Sequence, residues 1–155
     1  MKKISIVLLS VILLTLSFHG SIADSKPSGP YAFQEVWGYL MKGEESYLND
    51  KMPFTDIGYF SAQVNEQGRI PMDITRPDLS THFKKPHRIH LVISTVWNKT
   101  IMNFILRRDF PLRNQLLNDI VTLSKGFDGV QIDFESINYE DKEYYISFLR
   151  ELRQR

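Results

Sequence analysis

Four segments of the chain have patterns of apolar residues that are typical of β-strands, and the fourth alternates apolar and polar residues with a period of two. The third segment is almost continuously apolar, as expected for a central parallel strand that is buried on both faces. The pattern therefore predicts four strands, over residues 35–41, 56–64, 88–96 and 126–135.

Apolar residues recur at helical spacing after the third and the fourth predicted strand. The first of these helices is predicted to have Pro111 near its first turn and Gly126 at its end. The second is predicted from Asn138, because this residue and the acids after it suit a helix amino terminus. Residues 42–50 carry a weak helical pattern, and residues 77–86 are predicted to form a short helix or loop. The order β, weak α, β, connector, β, α, β, α predicts parallel strands with crossover helices.

The fourth predicted strand carries two carboxylates on one face. Its apolar positions alternate with Gln131, Asp133 and Glu135. The period of two puts Asp133 and Glu135 on the same side, with Cα atoms roughly 6.5 Å apart from a rise of ~3.3 Å per residue. Burial of two acids is costly, so a site that uses them is favoured over acids that pair with lysines or cap the next helix.

Residues 128–135, with the sequence Asp-Gly-Val-Gln-Ile-Asp-Phe-Glu, resemble the fourth-strand signature of glycoside hydrolase family 18, the chitinase-like family. That signature is Asp-Gly-x-Asp-x-Asp-x-Glu, and the departure from it is Gln131. Gly38 and Tyr39 resemble the Gly-Tyr of the family's first strand. The resemblance covers residues 33–155. It implies an α/β fold of the (β/α)8 TIM-barrel type, of which this chain would supply about the first four β/α units.

The resemblance also implies a chemistry for the two acids. Glu135 would protonate the glycosidic oxygen as general acid, and Asp133 would hold the sugar's 2-acetamido group while the acetamido oxygen attacks the anomeric carbon. This substrate-assisted route retains configuration without a second catalytic carboxylate. Gln131 would line the substrate site, where it can donate a hydrogen bond to Asp133 but cannot share a proton with it. The implied substrate is an N-acetylglucosamine-containing polysaccharide or oligosaccharide, such as chitin or peptidoglycan.

Three aromatic residues bear on the substrate site. Tyr39 is expected to line the sugar subsite nearest the cleaved bond, with a core tyrosine as the alternative. Trp97, just past the third strand, is expected to stack on a sugar, with packing against a helix as the alternative. Trp37 is expected in the core. Where the family often has Ser-x-Gly-Gly, residues 94–97 are Ser-Thr-Val-Trp, so a differently shaped mouth is expected.

The amino terminus predicts export. Lys2 and Lys3 precede an apolar run, and small residues follow at the positions that a signal peptidase reads, which indicates a signal peptide over residues 1–23. A polar linker over residues 24–32 would then lead to a domain over residues 33–155. This leader predicts a secreted or periplasmic bacterial protein and is favoured over an uncleaved membrane anchor.

Composition argues against several classes of partner. The formal net charge of +1 gives no basis for nucleic-acid binding. The chain has no cysteine, and its four histidines show neither metal-ligand spacing nor an acid partner in register. No cofactor, metal or protein partner is therefore expected.

The length of 155 residues is below the ~250 that a (β/α)8 barrel takes. The chain is therefore expected to be truncated to the amino-terminal half of a catalytic domain. Two other interpretations stay open: a carbohydrate-binding protein of the same fold that has lost catalysis, and a gene fragment without activity of its own. Glu135 argues against the former, because a lectin needs no general acid.

Overall fold

The computed structural model describes residues 33–135 and 137–155, which form one parallel four-stranded sheet in the order β1-β2-β3-β4. The predicted signal peptide and linker lie outside the described residues. No helix in the described part of the chain is long and apolar enough to cross a membrane. The strands are β1 (Trp37–Met41), β2 (Asp56–Val64), β3 (Arg88–Thr95) and β4 (Gly129–Asp133), and the α-helices are α1 (Lys99–Leu106), α2 (Pro111–Ser124) and α3 (Lys142–Gln154).

The four predicted strands and the two strong helices are confirmed, and α1 is the element that the sequence pattern missed. Its amino end is capped by Asn98, whose side chain accepts hydrogen bonds from the backbone N–H groups of Thr100 and Ile101. The weak helical segment is a single 3₁₀ turn over Glu45–Tyr47. A second 3₁₀ turn, Tyr139–Asp141, delays the start of α3 to Lys142.

The helices pack on one face of the sheet, here called the helix-covered face. Leu91 and Ile93 of β3 are fully buried there against Leu116, Ile120 and Phe148 of α2 and α3. Each fully buried side chain of this kind contributes about 2 kcal/mol. The other face, here called the open face, carries the alternate residues of each strand, because strand side chains alternate between faces.

A buried arginine joins the three helices. The guanidinium of Arg113 in α2 is 2% exposed and donates hydrogen bonds to the carboxylate of Glu151 at 2.9 Å, to the hydroxyl of Ser147 at 3.2 Å and to the carbonyl oxygen of Leu106. Since these partners belong to α1 and α3, loss of Arg113 would leave several buried polar groups without partners.

A buried carboxylate fixes the amino ends of β2 and β3. The side chain of Asp56 is fully buried; it accepts hydrogen bonds from Arg88 at 2.8 Å and Thr55 at 2.7 Å, and lies 2.8 Å from Nε2 of His90. Burial raises the pKa of Asp56, but these donors outweigh it and hold the pKa at about 2. No acid partner in register was expected for the histidines. His90 does have an acid partner, Asp56, which lies two residues out of register on the neighbouring strand.

Acidification should destabilise the protein through Asp56. Its folded pKa lies below the ordinary 3.8, so the stabilisation is complete above about pH 4 and is lost as the pH falls through about 2. The loss should be about 2 kcal/mol, measured by urea denaturation followed by circular dichroism.

Asp56→Asn should lower the free energy of unfolding at pH 7 and flatten this part of the pH dependence. Other acids with a lowered pKa, such as Asp128 and Glu151, keep their contribution in the variant, so the difference between the two curves isolates Asp56. The same slope between pH 4 and pH 2 in both proteins would contradict the prediction.

Candidate active site

The two carboxylates of the signature lie at the carboxyl-terminal edge of the parallel sheet. Asp133 is the last residue of β4 and is half-buried, and Glu135 follows two residues later with its side chain exposed. Phe134 between them is 8% exposed and packs near Tyr145 and Phe148 on the helix-covered face. Asp133 is in register with Ser94 and therefore lies on the open face, opposite to Phe134.

Both carboxylates are available to a ligand. Neither Asp133 nor Glu135 has a side-chain hydrogen bond or an ion pair with another described residue. Burial and, after it, the negative charge of Asp133 raise the pKa of Tyr145, so this hydroxyl lies within electrostatic range of Asp133.

Tyr39 lies across the open face and reaches the far strand. The Gln131 amide donates a hydrogen bond to the Tyr39 hydroxyl at 3.1 Å, which links β1 to β4. The ring passes so close over Gly58 on β2 that a Cβ there would lie 2.7 Å from two ring carbons. Tyr39 is 59% exposed, so the alternative of a core tyrosine is wrong. Gln131 bonds to Tyr39, although the sequence allowed a bond to Asp133.

Trp37 is on the open face too, and its expected place in the core is wrong. It is 41% exposed and stacks against His90, with ring centroids 4.5 Å apart. His90 in turn lies over Gly129, where an added Cβ would be 2.5 Å from Nδ1. The sequence analysis missed this contact, although a glycine inside a strand is a signal for close approach of another group.

Exposed aromatic side chains follow the carboxyl ends of three strands. Trp97 after β3 is 82% exposed, which makes its alternative role in helix packing wrong. Tyr47 after β1 and Tyr139 after β4 are 74% and 87% exposed, and the sequence analysis assigned neither of them. Large exposed aromatic faces on this edge are suited to contact with the apolar faces of sugar rings.

Asp128, the first acid of the signature, lies at the amino-terminal edge of the sheet, opposite to Asp133. Asp128 accepts a hydrogen bond from the backbone N–H of Ile89 at 2.7 Å and pairs with Arg76 at 2.8 Å. The Arg76 hydrogen bond and then the Ile89 N–H lower the pKa of Asp128. Asp128 therefore ties the start of β4 to the start of β3. No group of three or more acids and histidines in the described part of the chain could hold a metal ion.

Gly58→Ala should release Tyr39 from Gln131. The new methyl group would also lie 3.1 Å from Val92, which is fully buried, so the exposed Tyr39 ring is the group that moves. Loss of the Tyr39–Gln131 hydrogen bond should cost about 1 kcal/mol, measured by urea denaturation, with a change in the NMR shifts of the Tyr39 ring.

Gly126→Ala is the matched control, because the nearest atom to its added Cβ is a carbonyl oxygen at 3.8 Å. Unchanged Tyr39 ring shifts in Gly58→Ala would show that the glycine is not needed for this arrangement.

The chain is similar to proteins that are named as a cortical fragment-lytic enzyme, a spore cortex-lytic enzyme and a chitinase. It is 29% identical over 104 residues to the cortical fragment-lytic enzyme of Bacillus subtilis, in an alignment that covers 64% of this chain and 24% of that protein. The chain therefore spans about a quarter of the length of this curated relative. No family model matches the sequence.

Solved structures show the same fold. A class V chitinase from Nicotiana tobaccum superposes with a TM-score of 0.56 at 20% identity, over 76% of this chain and 38% of that one. A glutamate-to-glutamine mutant of that chitinase, in complex with NAG4, gives the same TM-score at 19% identity. The spore cortex-lytic enzyme SleL of Bacillus megaterium gives 0.55 at 20% identity, over 77% of this chain and 31% of that one. The chain therefore has a chitinase-like fold over the part that it covers, in agreement with the chitinase-like resemblance of residues 128–135.

Proposed function

We propose that the protein is a secreted glycoside hydrolase that cleaves β-linked N-acetylglucosamine-containing glycans, and that its four strands form part of a (β/α)8 barrel. The observation that carries the proposal is the pair Asp133 and Glu135, whose side chains have no partner among the described residues. The pair lies at the carboxyl-terminal edge of a parallel sheet, where (β/α)8 enzymes have their active sites. Likeness to a chitinase that was solved with NAG4 supports the substrate class.

Glu135 is the proposed general acid. It donates a proton to the glycosidic oxygen as the bond from C1 to the leaving sugar breaks. The oxygen of the substrate's own acetamido group forms a bond to C1 and gives an oxazolinium ion. Water then attacks C1 and returns a proton to Glu135, so configuration is retained after two displacements.

Asp133 is the proposed partner of the acetamido group. It accepts a hydrogen bond from the acetamido N–H, which orients the oxygen toward C1 and balances the positive charge that develops on the ring. The bond of Gln131 to Tyr39 supports this role, because it leaves the Asp133 oxygens free for substrate. Tyr39 and Gln131 line the same site on the open face, because Gln131 is two residues before Asp133 on β4 and bonds to Tyr39. Trp97 stacks on a sugar at the rim.

Glu135→Gln should abolish hydrolysis of a chromogenic chito-oligosaccharide and leave its binding intact. Loss of a general acid costs ~10²–10⁴-fold in rate, measured by release of the chromophore. Glu140→Gln is the matched control, since Glu140 is an exposed glutamate on the 3₁₀ turn after the site. A Glu135→Gln rate close to that of the wild type would remove Glu135 from the mechanism. Binding by the wild type without hydrolysis would favour the carbohydrate-binding interpretation.

Asp133→Asn should depress the turnover of N-acetylated substrates more than their binding, because the carboxylate acts mainly as charge develops on the acetamido group. A thiazoline analogue of the oxazolinium ion should inhibit the wild type and be weaker against the variant, measured as inhibition constants. Asp109→Asn, an exposed aspartate in the turn between α1 and α2, is the control. Equal potency against the wild type and Asp133→Asn would argue that the acetamido group is not the nucleophile.

A further inference from the structure

A row of polar side chains crosses the open face at the carboxyl-terminal edge. Gln63 on β2 is in register with Ser94 on β3, and Ser94 is in register with Asp133 on β4. Register partners on parallel strands point to the same face, and their Cα atoms lie about 4.8 Å apart. The Cα atoms of Gln63 and Asp133 are therefore about 10 Å apart. Gln63 is exposed, and its amide has no hydrogen bond with another described residue.

Strand β2 reaches this row through a bulge. Phe60 pairs with Val92 and Ala62 pairs with Ile93, so Ser61 is an extra residue between them. Bulges re-aim side chains and are frequent next to active sites. The Ser61 hydroxyl oxygen is buried and has no hydrogen-bond partner in the described part of the chain. Burial of a hydroxyl without a hydrogen bond costs free energy. A ligand group that reaches the Ser61 hydroxyl therefore supplies a hydrogen bond that the described part of the protein does not make.

A pocket of about 230 Å³ lies beside the bulge. It combines apolar surface from Met41 and Phe60 with the amide of Gln63 and hydroxyl groups, and Lys42 is the one charged residue in its lining. An acylamino group matches this mixture, since its methyl group suits the apolar surface and its amide suits Gln63. The ammonium group of a free amino sugar does not match, because the lining offers a cation and no carboxylate. The lining residues are Met41, Lys42, Phe60, Ser61, Ala62, Gln63 and Ser94.

We propose that Gln63 and Ser61 form a second sugar subsite that takes an N-acylated sugar and rejects a free amino sugar. The inference rests on the proposed function, since it takes Asp133 as the position of the acetamido group at the cleaved bond. Gln63 is two strands away from Asp133, with Cα atoms about 10 Å apart, so it is placed beside the acetamido group at the cleaved bond. Its ligand is therefore the neighbouring sugar of the same glycan.

NMR titrations of the Glu135→Gln protein, in which a bound glycan stays intact, test the subsite. The probes are N-acetylglucosamine, its β-1,4-linked tetramer and the corresponding glucosamine tetramer. Gln63→Ala should weaken binding of the acetylated tetramer about tenfold, the usual effect of a lost hydrogen bond, and leave binding of the monomer unchanged. Gln63→Glu keeps the side-chain shape and loses the amide donor, so it should lose similar affinity. Gln34→Ala, an exposed glutamine before β1, is the matched control.

Ser61→Ala separates binding from packing. Since the hydroxyl has no partner among the described residues, its removal should weaken binding of the acetylated tetramer while the thermal unfolding midpoint stays the same or rises. A lower midpoint with unchanged tetramer affinity would assign Ser61 a structural role and overturn its place in the subsite.

The outcomes distinguish the subsite from the proposed function. If the Glu135→Gln protein binds the acetylated tetramer and the Gln63 variants bind it equally well, the second subsite is wrong and the proposed function stands. Equal affinity for the acetylated and the glucosamine tetramers would overturn the selectivity. If the Glu135→Gln protein binds no acetylated probe, the proposed function fails, and the subsite fails with it.

Discussion

The register of the sheet depends on one buried charge. Asp56 at the start of β2 is held by Arg88 and His90 of β3, and through Thr55 it reaches the backbone N–H of Val36 before β1. A buried carboxylate that lost these donors would be strongly unfavourable, so the amino ends of three strands are fixed relative to one another. A slip of one residue would move every open-face side chain to the helix-covered face. The alignment of Gln63, Ser94 and Asp133 at the opposite edge follows from Asp56, from the bulge at Ser61 and from the bond of Asp128 to the start of β3.

Two glycines then decide what covers the open face. Gly58 leaves room for the Tyr39 ring, and Gly129 leaves room for His90, so both side chains lie flat across the sheet where any larger residue would force them away. Tyr39 can reach Gln131 on β4 because nothing projects from Gly58 between them. The absence of side chains at Gly58 and Gly129 therefore determines where Tyr39 and His90 lie on the open face. Asp133 lies further along the same face, at the carboxyl-terminal edge.

The sequence predicted the parts of the structure that follow from periodicity, and it missed those that depend on contacts between distant segments. The apolar run of β3 and the alternation around Asp133 are patterns of neighbouring residues, which are local. The placement of Trp37 failed because an apolar residue was assigned to the core, whereas its strand parity puts it with Tyr39 on the open face. The His90–Asp56 pair joins residues 34 positions apart and two residues out of register, and no single-sequence pattern indicates such a contact. Helix α1 was missed although it is amphipathic, with Met102, Ile105 and Leu106 buried, and although Asn98 is a good capping residue.

Ion pairs hold the fold together, and the two acids of the proposed site take no part in them among the described residues. Several carboxylates in the described part of the chain lie within 3 Å of arginine nitrogens, among them those of the pairs Arg69–Asp119, Arg76–Asp128, Arg88–Asp56 and Arg113–Glu151. Each of these pairs connects different elements or segments and therefore supports the fold. Asp133 and Glu135 have no such partner there, which is also true of exposed acids such as Glu140. What distinguishes the two is their place at the carboxyl-terminal edge of the sheet. An arginine beside Glu135 would hold it as a carboxylate and block its oxygens, and it could not then act as a proton donor. Leaving the two acids without a cation forgoes some stability, and it keeps available the proton donor and the hydrogen-bond acceptor that the proposed reaction requires.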